Sequence, residues 1–195
     1  MGRIKTALEI ALERTESVKS DKGSISQFEA RQQGKKTANE FLEDPSRSLE
    51  EAIKKAPKEQ RESLKQGIFE VLFSQITLPL VKEDEKRVQT VGKGLGAVIS
   101  DSRFSGHYKQ FTQILSRYLD EAAQYEKAIL HQYEPKLRQK EEELTRRYGR
   151  QVRLDAFQDP EFVAFYNQNM NALKENYQGA VDQIREEARR CFEGS

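Results

Sequence analysis

From Phe104 onward, apolar and aromatic residues return at alternating steps of four and three: Phe104, Tyr108, Phe111, Leu115, Tyr118, Ala122, Tyr125, Ile129 and Gln132. A second series, Tyr166, Met170, Leu173, Tyr177, Ala180, Ile184, Glu187 and Cys191, keeps the same alternation. Each spacing predicts a helix with one apolar seam of heptad type. A seam cannot remain in water, and only a short polar connector separates the two. The pair is therefore expected to close on itself as an antiparallel, coiled-coil-like hairpin, with an arm of about 50 Å at roughly 1.5 Å per residue. Pro135 falls inside the first helix and is expected to kink or restart it. Gly149 offers a left-handed stop, and Asp159-Pro160-Glu161 reads as the N-cap and first turn of the second helix.

Charge agrees with this pairing. Residues 136–153 hold seven basic and three acidic side chains, whereas 155–195 hold four basic and eight acidic ones. Opposite balances favour the antiparallel arrangement without adding much stability.

The first hundred residues read as a helical base. Ile4, Leu8, Ala11, Thr15 and Val18 form an amphipathic stripe. Asp21-Lys22-Gly23-Ser24 is expected to end that helix, with Ser26 and Glu29 at capping-box spacing for a second one carrying Phe28, Ala38, Phe41 and Leu42. Asp44-Pro45-Ser46 ends it, and Ser48 with Glu51 caps a short third helix through Ala56. Pro57 suits the first turn of a fourth, with Leu64, Ile68, Val71, Leu72 and Ile76 inward and Pro79 as its breaker. A further pattern runs from Val81 through Val88, Val91, Leu95, Val98 and Ile99 across Gly92, Gly94 and Gly96. Three glycines cost a helix about 1 kcal/mol each relative to Ala, so this segment is either a loop or a helix packed closely against a neighbour. Ser100-Asp101-Ser102 caps the helix that follows. The expected class is all-α, with a helical base over 1–100, a hairpin over 101–195 and its tip near 149–159.

Composition narrows the function. Of 195 residues, 36% are hydrophobic and 33% charged, which suits long helices with wet faces. The net charge of +1 provides no long-range field for nucleic acid or an anionic membrane, so nucleic acid is disfavoured as the main partner. Cys191 is the single cysteine, which excludes an internal disulfide and fits a reducing cytoplasm. No apolar run approaches the roughly 20 residues that span a bilayer. Acidic residues at Glu9, Glu13 and Glu16 argue against an export signal, although Met1 to Thr6 fits the loose myristoylation pattern.

No catalytic, cofactor or metal site is expected. His107 and His131 lie 24 residues apart on one helix, about 36 Å, so they cannot share a metal or act as an acid–base pair. Phe104 and Ala128 occupy the positions where a helical di-iron motif needs Glu. Cys191 lies on the seam beside Phe192 and reads as a buried thiol. Gly92-Lys93-Gly94-Leu95-Gly96 matches neither phosphate-loop spacing.

The connector is the segment that packing explains least. It combines Tyr148, Arg150, Arg153, Leu154 and Phe157 in more residues than a reversal of two helices needs. These five are the candidate partner-binding residues, set against the simpler reading that Leu154 and Phe157 cap the hairpin core. Arg150, Arg153 and Phe157 are expected to lie off both seams.

Gln66 to Leu80 with its Thr77-Leu78-Pro79 ending, Arg146-Arg147-Tyr148-Gly149-Arg150-Gln151-Val152, and Gln158-Asp159-Pro160-Glu161-Phe162 resemble an uncharacterised, chiefly spirochaete bacterial family of unknown function. The resemblance implies a bacterial cytoplasmic protein and assigns no functional residue. The leading expectation is a non-catalytic protein-interaction or scaffold protein with an unidentified protein partner. Two other readings stand beside it: an enzyme or small-molecule-binding protein with a pocket in the base, and a nucleic-acid or ribosome-associated factor using the basic tip. Homo-oligomerisation stays open.

Overall fold

The computed structural model describes residues 7–194, with side chains from Gly23 onward. The stripe Ile4 to Val18 and the Met1 to Thr6 pattern lie outside the described side chains. Six α-helices account for most of the chain: α1 (Ala7–Glu43), α2 (Leu49–Lys55), α3 (Arg61–Ser74), α4 (Asp84–Val98), α5 (Ser102–Tyr148) and α6 (Pro160–Glu193). The fold class is all-α, with no strand among the described residues. The chain forms two compact units. One gathers Met1–Ile76, Thr90–Phe104 and Arg190–Ser195, and the other Thr77–Gln89 and Ser105–Arg189.

In the first unit α1 runs unbroken through Asp21-Lys22-Gly23-Ser24, where the sequence suggests a stop. Gly23 is exposed and touches nothing, so its cost to the helix is propensity alone, about 1 kcal/mol, and the flanking turns outweigh it. Ser26 is consequently not a cap; its hydroxyl accepts a 2.8 Å bond from the Gln60 amide. Phe28, expected inside, is exposed. The expected α1 stop at Asp44 and the Ser48 cap are both present, the latter accepting from the Glu51 N–H at 3.2 Å.

The crossing of α1 with α3 is set by two glycines. A Cβ added at Gly34 would overlap the Leu64 carbonyl, and one at Gly67 would overlap the Arg31 carbonyl. The two backbones therefore touch, which only residues without a side chain permit. Ile68 and Leu72 of α3, Phe41 of α1, and Val91 and Leu95 of α4 are all buried. The glycine run resolves as helix. A Cβ at Gly94 would stand 2.7 Å from Leu72 Cδ1 and 2.9 Å from Phe41 Cε1, the close approach that justifies a glycine there. α4 starts at Asp84, not Val81, because the Asp84 carboxylate accepts the Leu80 and Val81 N–H groups and leaves Val81 exposed before the first turn. Cys191 is buried, with Sγ 3.8 Å from the Asp101 carboxylate, and Phe192 stacks on Phe69 at 4.0 Å.

In the second unit α5 and α6 pack antiparallel in one register. His107 meets Glu187, Tyr118 meets Tyr177, Tyr125 meets Asn169 and Tyr133 meets Phe162, each pair stepping forward on one helix and back on the other. Along α5 the segment 77–89 also engages: Tyr108 donates to the Val88 carbonyl at 2.9 Å, and Lys82 lies 3.8 Å from Asp120.

The buried stripes drift from strict heptad spacing. Gln132 is exposed and Tyr133 takes the inward place; on α6, Val181 and Ala188 are buried beside the expected Ala180 and Glu187, which are only half-buried. A helix of 3.6 residues per turn rotates about 20° per heptad against a 3.5 repeat, so a stripe followed over several heptads moves by about one position. α5 also continues through Pro135 instead of restarting. Pro135 and His131, whose carbonyl it deprives of a donor, are both exposed, so water can satisfy that group.

Candidate functional site

The polar chemistry of the second unit concentrates where α5 gives way to α6. α5 ends because Gly149 adopts φ 65°, its N–H bonding the Thr145 carbonyl at 2.9 Å. The connector then runs back along the helix it has left. Thr145 Oγ1 accepts the Val152 N–H at 3.1 Å, and Glu141 Oε1 accepts the Leu154 N–H at 2.7 Å. Asp155 takes the Phe157 N–H at 3.0 Å and starts a single 3-10 turn, Ala156–Gln158. These bonds explain the length of the connector: α5 side chains hold an extended stretch in place.

A charged clasp fixes the start of α6. The Asp159 side chain is only 8% exposed, yet it accepts four bonds: two from Lys140 Nζ at 2.7 and 2.9 Å, one from the Tyr133 hydroxyl at 3.0 Å and one from the Glu161 N–H at 3.1 Å. Glu161 takes Lys140 and Lys136, each at 2.9 Å. Buried carboxylates persist only when paired in this way. Hydrogen bonding from Lys140 holds the Asp159 carboxyl below its ordinary range. Bonds from Lys140 and Lys136 bring Glu161 to about 2. The same contacts push the Lys140 ammonium upward, while burial and the bond to Asp159 raise the Tyr133 phenol. Beneath lies an apolar cluster of Ile129, Tyr133, Phe162 and Met170.

The sequence-derived candidates divide into two sets. Tyr148 is 61% exposed, and Arg150 and Arg153 are exposed; among the described residues no ion pair involves Arg147, Arg150 or Arg153. Leu154 is half-buried and lines a groove of about 380 Å³ with Leu144, Arg147, Gln158 and Pro160. Phe157 is 48% exposed, but its ring sits edge-on to Phe162 at 5.1 Å and Tyr166 at 5.3 Å. It is therefore not off the core as expected, because Phe162 and Tyr166, one turn apart on α6, both face the connector. Missing from the sequence reading were Lys140, Tyr133, Glu141 and Thr145, which build the tip.

Other titratable groups remain dispersed. His107 Nδ1 lies 3.2 Å from Glu187 in a groove of about 220 Å³, while His131 lies 3.5 Å from Glu134 on an exposed face. Among the described residues no group of three or more His, Cys, Asp or Glu side chains is arranged to hold a metal ion. Among the same residues, no helix is long and apolar enough to cross a membrane.

The fold and the tip define an all-α protein whose paired long helices carry a structured polar connector. The chain belongs to the family of unknown function (DUF6657), whose model matches residues 50–190. Comparison with curated proteins and with solved structures finds no match.

Proposed function

We propose that this chain is a non-catalytic interaction or scaffold protein of the bacterial cytoplasm, of the chiefly spirochaete distribution its motifs suggest, and that it engages a protein partner through the connector between α5 and α6. The observation that carries this reading is the contrast within that connector. Its backbone is tied to Thr145, Glu141 and Asp155, while Tyr148, Arg150 and Arg153 are exposed and, among the described residues, neither arginine has an ion pair. An ordered backbone presenting exposed aromatic and guanidinium groups loses little entropy on binding, and Tyr and Arg carry disproportionate binding energy.

The test is a pulldown from the native organism with quantification of the captured protein. Tyr148→Ala with Arg150→Ala and Arg153→Ala should weaken capture by about 2 kcal/mol, near 30-fold. A control at exposed mid-helix positions, Gln139→Ala with Gln168→Ala and Lys174→Ala, should capture as wild type. Equal capture by a folded tip variant would rule the reading out.

A further inference from the structure

The partner's chemistry can be taken one step further, on the footing of the tip reading above. We infer that the tip receives a short acidic segment of a partner protein, its carboxylates met by Arg147, Arg150 and Arg153 and one aliphatic or aromatic side chain seated in the groove between Leu144 and Leu154.

Charge segregation carries this. Residues 146–153, Arg-Arg-Tyr-Gly-Arg-Gln-Val-Arg, contain four arginines and no acid. Most acids nearby are committed elsewhere: Glu141 to the Leu154 N–H, Asp155 to the Phe157 N–H, and Asp159 and Glu161 to Lys140 and Lys136, while Glu143 is exposed at the rim of the groove. Glu142 lies 4.0 Å from Arg146, at the limit of an ion pair. Lys140 is saturated by the clasp, and among the described residues Arg147 is the other cation in the lining of the groove. Guanidinium groups bind carboxylates as planar two-pronged donors, so three exposed ones without internal acids complement an acidic peptide.

The groove supplies the second element. Leu144, Leu154 and Pro160 give it an apolar surface, with Arg147, Gln158 and Glu143 around it and the paired Lys140 and Asp159 of the clasp at its floor. Nucleic acid fits less well. Glu142, Glu143 and Asp155 are exposed on both sides of the arginine run, so the basic stretch is too short to meet a long row of phosphates, whereas a segment carrying one or two carboxylates needs only the arginines themselves.

Selection of short random peptides displayed against the full chain tests this, with counter-selection against R147E/R150E/R153E. Because charge reversal could perturb folding, R147Q/R150Q/R153Q serves as a second variant, and both are checked for wild-type helicity. Selected peptides should be rich in Asp and Glu around one Leu, Ile or Phe. Binding of a synthetic winner should fall at least about tenfold with either variant, and equally when its acids are replaced by amides. Peptides that need the arginines but lack acids would overturn the acidic class and leave the tip reading standing. Failure to select any arginine-dependent peptide would overturn the acidic segment, with the pulldown then deciding the tip reading separately. A single-stranded RNA that binds through the same arginines and displaces the winner would assign the tip to nucleic acid instead.

Discussion

The α1–α3 crossing and the α5–α6 tip solve the same problem, holding two helices together, by opposite means. At the crossing, Gly34 and Gly67 bring backbone against backbone, and the space is so completely used that neither position accepts a methyl group. At the tip the hold comes from side chains: Thr145, Glu141 and Asp159 reach across to connector N–H groups and to Lys140. Backbone contact gives rigidity with no tolerance for change. Side-chain ties are separable, and they leave the outward face of the connector exposed.

This contrast can be broken most sharply at Gly67. Gly67→Ala should destabilise the chain by about 3 kcal/mol in urea unfolding, since its Cβ meets a carbonyl that the helix cannot move aside. Gly23→Ala, in the same fold with nothing near its Cβ, should instead stabilise by up to about 1 kcal/mol. A similar loss at both glycines would contradict the crossing.

Next in size is the clasp. Lys140→Met strands the buried Asp159 carboxylate and should cost about 2 kcal/mol. It should also change the acid response. Asp159 and Glu161 have depressed folded-state pKa values, so their contribution is full above the unfolded values near 4 and is lost as pH falls through the folded ones, for Glu161 at about 2. Over that window the stability of Lys140→Met should fall less steeply with acid than that of wild type. Smaller again is Phe157→Ala, about 1 kcal/mol, through lost edge contacts with Phe162 and Tyr166. The smallest effect belongs to Arg150→Ala with Arg153→Ala, within about 0.5 kcal/mol of wild type by thermal melting, because neither side chain is tied into the fold.

Much of the helical layout is legible in the sequence where a local rule applies. Ser48 with Glu51, Gly149, and Asp159 before Pro160 mark helix ends through bonds made within a few residues. Phe104 to Ile129 mark an inward face through spacing alone. What escapes is either long-range or cumulative. Gly34 and Gly67 carry no local signal of their role, because each touches the backbone of a residue thirty or more positions away. Tyr133 replaces Gln132 because rotation accumulates over several turns. Lys140 and Asp159 are nineteen residues apart across the connector, and no local spacing rule joins them. The antiparallel pairing of the two helices brings them near: Tyr133, seven residues before Lys140, meets Phe162, three residues after Asp159. Arg150 and Arg153 are legible by exclusion, since they fit neither stripe and are exposed, whereas Phe157 is not, because the α6 turn it packs against is distant in pattern from the connector.

The most direct measurement is backbone hydrogen exchange of the full chain with and without its captured partner. The account predicts new protection at residues 148–158 of the connector, with the amides of α1 and α3 around Gly34 and Gly67 unchanged. Protection confined to α1 and α3, with the connector exchanging as in the free chain, would contradict it.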